Sequence, residues 1–91
     1  MRLRWTPAAA ADLEEINRYL QEHHPSYRAP TILKLYNQIQ SLKQFPSLGR
    51  PGCEAGTREL LFPPLPYIVV YRLRIDAIEI LRIYHGARDL P

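Results

Sequence analysis

Hydrophobic residues follow two different periods along this 91-residue chain. Between residues 7 and 44 they recur every three or four positions, which is the spacing of amphipathic helices. Between residues 57 and 85 they form short runs rich in β-branched and aromatic residues, which is the pattern of strands. The chain therefore predicts an α+β fold in which helices precede a sheet.

The first helix has clear signals at both ends. Thr6 suits an N-cap and Pro7 suits the first helical position, while Pro25 stops a helix that reaches His24. Its predicted apolar stripe is Ala9, Leu13, Ile16 and Leu20.

A second helix is predicted to end at Gln44. It begins near Ser26 or at Pro30, because proline is comfortable only in a first turn and so leaves the start open. The short connection predicts an antiparallel helical hairpin. The predicted apolar face of this helix is Ile32, Leu35, Tyr36, Ile39 and Leu42.

Three strands are predicted after a Pro- and Gly-rich loop at residues 45–56: Thr57–Phe62, Tyr67–Leu73, and Ala77 to Tyr84 or His85. Their short connections predict an antiparallel meander, because parallel crossovers need longer ones. A short strand is also predicted at Leu3 to Trp5, before the helices.

Size and composition indicate a single globular domain over residues 1–91, with 46% hydrophobic and 23% charged residues. Cys53 is the only cysteine, so no internal disulfide or cysteine metal cluster can form. We expect no metal and no cofactor. No signal peptide or membrane span is predicted, so the cytoplasm is the expected location.

Arginine dominates the positive charge: ten arginines stand against two lysines. The planar guanidinium fork suits phosphate and carboxylate groups, so the bias favours an anionic partner. Codon usage in a GC-rich genome would produce the same bias, and the count alone does not separate the two.

In an antiparallel meander, directly opposed residues on neighbouring strands lie on the same face of the sheet, so the sequence predicts which side chains share a face. With turns centred near Pro64 and Ile75, Arg58 pairs with Val70 and Arg72 pairs with Ile78. One face then holds a basic and aromatic set: Arg58, Arg72, Arg82 and Tyr84. A slip of one residue would move side chains to the other face, and both faces are apolar in the middle. The pattern therefore leaves open which face the helices cover.

Five segments, in this order, resemble the RelE/ParE superfamily of bacterial toxins from type II toxin–antitoxin modules. They are WTPAAAADLEEI, FPSLGRPG, TREL, YIVVYRL and IEILRIYHGARD. The resemblance implies a strand, two helices and a three-stranded meander. It also implies growth inhibition, plasmid stabilisation and a cognate antitoxin partner.

The superfamily divides by target. RelE-type members are ribosome-dependent mRNA endoribonucleases, and ParE-type members inhibit DNA gyrase without RNA chemistry. For RNA cleavage, the resemblance implies the candidate catalytic residues Arg58, Arg82, Tyr84, His85 and Arg88; otherwise they form a target-binding surface. Ile68 stands where the RelE pattern has an arginine, and the ending ILRIYHGARD is closer to ParE-type members. Gyrase inhibition is therefore the favoured expectation, with mRNA cleavage as the alternative.

The antitoxin is expected to lay an extended, acidic and amphipathic segment over the helices and sheet, because a basic apolar surface suits that mode of binding. The target is gyrase, or the ribosome with its mRNA. Whether the toxin forms a homodimer or only a hetero-oligomer with its antitoxin stays open.

Overall fold

The computed structural model describes residues 1–86, in which a five-stranded sheet packs against two helices. In chain order the elements are β1 (Arg2–Trp5), α1 (Pro7–His23), α2 (Pro25–Ser41), β2 (Arg50–Pro51), β3 (Thr57–Phe62), β4 (Leu65–Leu73) and β5 (Ala77–His85). The sheet order is β1-β5-β4-β3-β2, with β1 parallel to β5 and the other pairs antiparallel. The predicted α+β architecture is confirmed. Strand β2 was not predicted.

Thr6 ties the start of α1 to the sheet. Its hydroxyl accepts a hydrogen bond from the Ala9 N–H at 3.1 Å, as an N-cap does, and donates one to the Leu81 carbonyl at 2.9 Å. Its backbone N–H donates to the Ile80 carbonyl at 3.1 Å. The predicted start of the first helix is therefore confirmed, and the cap also satisfies carbonyl groups of β5.

Helix α2 begins at Pro25 and runs through Pro30. Of the two predicted starts, the one near Ser26 agrees with the structure, and Pro30 therefore lies inside the helix. The helix tolerates the lost backbone hydrogen bond because Thr31, Leu35 and Ile39 are buried beyond it. The helix ends at Ser41 rather than Gln44, and a turn completes the segment.

The core lies between the two helices and one face of the sheet. The helices contribute residues at the predicted spacing, although Leu13 and Ile32 are only partly buried and Tyr36 is exposed. The core cluster consists of Ala9, Ile16, Leu20, Leu35, Ile39, Leu42, Leu60, Phe62, Tyr67, Val69, Tyr71, Ile78, Ile80 and Ile83. No helix within residues 1–86 is long and apolar enough to span a membrane.

The strand register differs from the predicted one. Arg58 lies opposite Tyr71 rather than Val70, a slip of one residue that moves the side chains of β3 to the other face. In β5, Leu81 is an extra residue between Ile80, which pairs with Tyr71, and Arg82, which pairs with Val70, as in a β-bulge. The predicted shared face of Arg58, Arg72 and Arg82 is therefore wrong for Arg58.

Candidate binding surface

The sheet has a helix-covered face and a second face, the open face, over which no helix of the described chain packs. Leu60, Val69 and Tyr71 belong to the core and so mark the helix-covered face. Because side chains alternate along a strand, their neighbours belong to the open face. By register, the open face is formed by Arg4, Arg50, Thr57, Glu59, Leu61, Ile68, Val70, Arg72, Glu79, Arg82 and Tyr84.

The register arranges these side chains in three rows that cross the strands. The row nearest the β4–β5 turn is mostly charged, the middle row mixes charged and apolar residues, and the third row is apolar and aromatic. In that order, the rows are Arg4, Glu79, Arg72 and Thr57; Arg82, Val70, Glu59 and Arg50; and Tyr84, Ile68 and Leu61. The open face thus has an apolar strip along β4 with charged groups on both sides.

Glu59 is a buried acid in the middle row, with only 7% of its side chain exposed. Arg50 donates two hydrogen bonds to its Oε1 atom, from Nε at 3.1 Å and from Nη2 at 3.0 Å. A buried carboxylate is costly without such a partner. Although β2 has only two residues, it supplies the cation that Glu59 requires.

Asp12 holds Arg82 at the other end of the middle row. The Arg82 Nε atom lies 2.7 Å from Asp12 Oδ2, and Nη2 lies 3.1 Å from Oδ1. The same Oδ2 accepts a hydrogen bond from the backbone N–H of Ile83 at 2.9 Å. Strand β1 pairs only with residues 77–80 of β5. Beyond these residues, Asp12 from α1 accepts the hydrogen bond of a backbone N–H on this edge of β5.

Two of the predicted site residues come together on the open face. The guanidinium carbon of Arg82 lies 5.0 Å from the centroid of the Tyr84 ring, within the range of a cation–π interaction. Arg82 is thereby fixed between a carboxylate and an aromatic ring. Tyr84 forms the outer end of the apolar row and is half-buried.

The other predicted site residues lie elsewhere. Arg58 and His85 are on the helix-covered face, opposite the core residues Tyr71 and Tyr67 respectively. The His85 ring meets Tyr67 edge-on with ring centroids 5.7 Å apart. Arg88 lies outside the described residues. Of the set Arg58, Arg82, Tyr84, His85 and Arg88, the structure therefore brings only Arg82 and Tyr84 together.

Arg58 supports the loop that precedes β2. Its Nη1 atom donates hydrogen bonds to the carbonyls of Gly49 at 2.6 Å and Ser47 at 3.4 Å. The buried Tyr71 hydroxyl acts on the same loop: it accepts from the Gly49 N–H and donates to the Pro46 carbonyl, both at 2.8 Å. Burial raises the pKa of the Tyr71 phenol, so the hydroxyl keeps its proton. Arg58 is thus engaged in structure within the described chain.

Sequence reasoning missed Asp12 and Glu59 as parts of this surface. Glu59 did carry a signal, because an acid inside an apolar strand segment needs a cationic partner. Asp12 carried none that periodicity could detect, because its partner Arg82 is 70 residues away. Among residues 1–86, no three His, Cys, Asp or Glu side chains are placed to hold a metal ion.

Within the described chain, the predicted site residues are divided between the two faces of the sheet. Arg82 is the predicted phosphate-binding cation that reaches the open face, and Asp12 already compensates its charge. His85 lies on the opposite face.

The row nearest the β4–β5 turn is dominated by ion pairs of Glu79. Its carboxylate is 2.8 Å from Arg4 Nη2 and 3.4 Å from Arg74 Nε. The hydrogen bond from Arg4, together with the charges of both arginines, holds the pKa of Glu79 below its ordinary value of 4.5. This ion pair links β1 to β5.

Acid is expected to weaken the attachment of β1 through Glu79. Because the folded-state pKa is the lower one, the contribution is present above pH 4.5 and is lost as the pH falls through the folded-state value. Urea unfolding of the protein and of Glu79→Gln at pH 7 and pH 3 tests this. The variant should be less stable at pH 7, and the difference should shrink at pH 3. An equal difference at both pH values would contradict the assignment.

The strand, helical hairpin and antiparallel sheet with one open face define a small toxin domain of the RelE/ParE type. The sequence matches the family described as ParE toxin of type II toxin–antitoxin system, parDE, over residues 3–90. The chain belongs to this ParE toxin family. It is the toxin component of a type II toxin–antitoxin module.

Individual relatives agree with that assignment. The candidate toxin Y4kP of Sinorhizobium fredii is 36% identical over 90 residues, which cover 99% of this chain and 93% of the relative. Toxin RelE2 of Caulobacter vibrioides is 36% identical over 84 residues, covering 92% and 93% respectively. A solved structure of the chromosomal ParDE TA system from P. aeruginosa has a TM-score of 0.81 at 32% identity, covering 93% of this chain and 95% of that chain.

Proposed function

We propose that this toxin inhibits DNA gyrase by binding to it and catalyses no reaction of its own. The observation that carries the proposal is the separation of the predicted catalytic residues. Arg82 and Tyr84 lie on the open face, while Arg58 and His85 lie on the helix-covered face. The family assignment supports the same target, because ParE-type toxins are the gyrase inhibitors of the superfamily.

The open face has the properties of a protein-binding surface. Its accessible apolar groups are the exposed Leu61 and the half-buried Val70 and Tyr84, while Ile68 between them is buried. Aromatic residues beside a fixed arginine are frequent energetic centres of protein interfaces. Because Asp12 and the Tyr84 ring already hold Arg82, little ordering is required when a partner binds.

Messenger RNA cleavage on the ribosome is the alternative function. One relative carries the name RelE2, and Tyr84 beside Arg82 is the part of the predicted catalytic set that stays together. Under this alternative, Tyr84 would take part in proton transfer and Arg82 would stabilise the phosphate.

Supercoiling of relaxed plasmid by purified gyrase separates the two functions. The toxin should inhibit supercoiling, and Tyr84→Ala should weaken inhibition by at least about tenfold, the effect of losing an interface hot spot. Tyr36→Ala is the matched control, because Tyr36 is exposed on α2, away from the open face. Its inhibition should equal that of the unmodified toxin.

Toeprinting on translating ribosomes is done with the same toxin preparation. Intact message is expected. New cleavage that Tyr84→Phe abolishes, combined with unaffected supercoiling, would establish the RNA alternative instead. With gyrase as its target the toxin acts in the cytoplasm, and its antitoxin neutralises it there.

A further inference from the structure

A pocket of about 300 Å³ opens at the β2 edge of the sheet, where β3 meets α2 and the loop that precedes β2. We call it the edge pocket. Its lining combines apolar walls with three polar side chains: Leu48, Leu60, Leu61, Gln38, Arg50 and Glu59. Glu59 is the only acid in that lining. The volume is at the lower end of the range for ligand pockets, which suits a single long side chain.

Glu59 brings an incompletely satisfied carboxylate to the edge pocket. Both hydrogen bonds from Arg50 go to its Oε1 atom. The Oε2 atom accepts no hydrogen bond from any residue in the range 1–86, although the side chain is only 7% exposed. Solvent still reaches Oε2, because the fully buried polar atoms without a partner in that range do not include it. The pocket therefore offers one carboxylate oxygen as a free acceptor.

Glu79, another acid of the open face, shows how many cations such a carboxylate can hold. Its side chain is 16% exposed, and it is shared by Arg4 at 2.8 Å and Arg74 at 3.4 Å. Glu59 is more deeply buried and has one cation among the described residues, Arg50, whose side chain is 56% exposed. Charged donors stabilise a buried carboxylate more than neutral ones do. Glu59 can therefore accept a second cation at Oε2.

We infer that the edge pocket receives a lysine or arginine side chain of gyrase, whose charged end contacts Glu59 Oε2. This contact rests on the proposed function, because it gives the chemistry of one group in that interface. Long cationic side chains carry an apolar stem, which the leucine walls cover, and a charged head, which the carboxylate accepts. An acidic or purely apolar group would leave Oε2 without a partner and is therefore disfavoured.

The edge pocket is continuous with the surface that carries the proposed function. In the third row of the open face, Tyr84 of β5 stands at one end and Leu61 of β3 at the other, with Ile68 of β4 between them. Leu61 also lines the edge pocket. Neighbouring strands lie about 4.8 Å apart, so roughly 10 Å separates the two ends of the row. A single protein surface bound at Tyr84 can therefore reach Glu59 with a neighbouring side chain.

The first test uses a small probe and no gyrase. The probe n-butylguanidinium mimics an arginine side chain, and n-butylurea has nearly the same shape without the charge. NMR titration of isotope-labelled toxin with the cation should shift the Gly49 and Leu61 amide signals saturably, with a Kd on the order of a few millimolar. The urea should bind at least about tenfold more weakly, and Glu59→Gln should abolish the response to the cation. No saturable shift, equal responses to both probes, or a response retained in Glu59→Gln would overturn the inference.

Plasmid supercoiling by purified gyrase tests the contact itself. Glu59→Gln removes the charge but keeps the side-chain size and a carbonyl oxygen for the hydrogen bonds from Arg50. Its inhibition should be about 10- to 100-fold weaker, because the gyrase cation then lacks its counter-charge. Glu15→Gln is the matched control, since it changes an exposed acid on α1, and it should inhibit gyrase as the unmodified toxin does.

Leu48→Lys gives a second measurement that does not depend on the folding of Glu59→Gln. Leu48 is 52% exposed, so its replacement should leave the melting temperature unchanged. The new ammonium group would occupy the edge pocket beside Glu59 and should weaken inhibition by at least about tenfold. Leu48→Gln, which adds no charge, should weaken inhibition by no more than about threefold.

The outcomes separate this contact from the proposed function. Unmodified toxin that inhibits gyrase, with no loss in Glu59→Gln or Leu48→Lys, would overturn the inference and leave gyrase as the target. Unmodified toxin that does not inhibit gyrase would contradict the proposed function and, with it, the assignment of the cation to gyrase. Weaker antitoxin binding in both variants, with unchanged gyrase inhibition, would assign the edge pocket to the antitoxin and would also overturn the inference.

Discussion

Replacing Asp12 by alanine is expected to lower the free energy of unfolding by about 2 kcal/mol, because three hydrogen bonds to one carboxylate are lost. The Ile83 N–H loses its partner at a point where no strand of the described chain pairs with β5. The Arg82 side chain is 43% exposed, so water replaces part of its lost interaction and the effect stays below that of a fully buried pair. In a domain of this size the melting temperature should fall by roughly 10 °C.

Glu15→Ala is the control for the Asp12 substitution. Glu15 lies on the same helix, and its ion pair with Arg18 is exposed at both side chains. We expect a change of no more than about 0.5 kcal/mol, as is typical of exposed pairs on a helix. Denaturant unfolding of both variants measures the difference. If the Asp12→Ala protein were as stable as the Glu15→Ala protein, the Asp12 carboxylate would not stabilise the edge of β5.

The same pair connects stability with function. Without Asp12, Arg82 loses the carboxylate that holds its guanidinium near the Tyr84 ring. Gyrase inhibition should therefore weaken in Asp12→Ala at temperatures where the variant is fully folded. An Asp12→Ala toxin that is destabilised yet inhibits gyrase normally would limit Asp12 to a structural role.

The start of α1 and the bounds of β3 were predictable because they depend on local signals. Thr6 and Pro7 mark the start of α1, and the predicted strand Thr57–Phe62 is identical to the strand found. Ala9, Ile16 and Leu20 are buried at helical spacing as predicted. Capping and periodicity act over a few residues, so the sequence pattern contains the information needed.

The faces of the strands were not predictable, because they depend on register. The middle of β4 is apolar on both faces, so a slip of one residue leaves hydrophobic burial almost unchanged and the pattern detects no error. The extra residue Leu81 then exchanges the faces within β5. Ile80 lies in the core and Arg82 on the open face, although a regular strand would place them together. The error in the predicted arginine face concerns Arg58 and follows from the slip of one residue between β3 and β4.

Two-residue strand β2 was also beyond sequence reasoning, because the contacts that form it are distant in sequence. Tyr71 holds the preceding loop through Gly49 and Pro46, and β2 then pairs with β3. Proline and glycine content indicated a loop at residues 45–56. This composition gave no sign that a buried tyrosine more than 20 residues away in sequence would order the loop.

Gly49→Ala is therefore expected to be among the most destabilising single substitutions in this loop, at about 3 kcal/mol. A Cβ atom at Gly49 would lie 2.8 Å from the Glu59 carbonyl oxygen and 2.8 Å from both the Cε1 atom and the hydroxyl of Tyr71. Backbone and a buried ring cannot move aside easily, so overpacking adds to the loss of hydrogen bonds. The melting temperature should fall by roughly 15 °C.

Gly56→Ala separates crowding from backbone strain. Gly56 has a φ of +82° and nothing within 4 Å of a Cβ atom, so alanine there should cost only about 1 kcal/mol, from the left-handed backbone. Tyr71→Phe should cost about 2 kcal/mol, because the Gly49 N–H loses its acceptor. The double variant Gly49→Ala/Tyr71→Phe should cost less than the sum of its single changes, since both disturb one hydrogen bond. Strictly additive free energies in the double variant would mean that Tyr71 does not hold the loop. The same conclusion would follow if the Gly49→Ala protein were as stable as the Gly56→Ala protein, and Arg50 would then reach Glu59 without help from Tyr71.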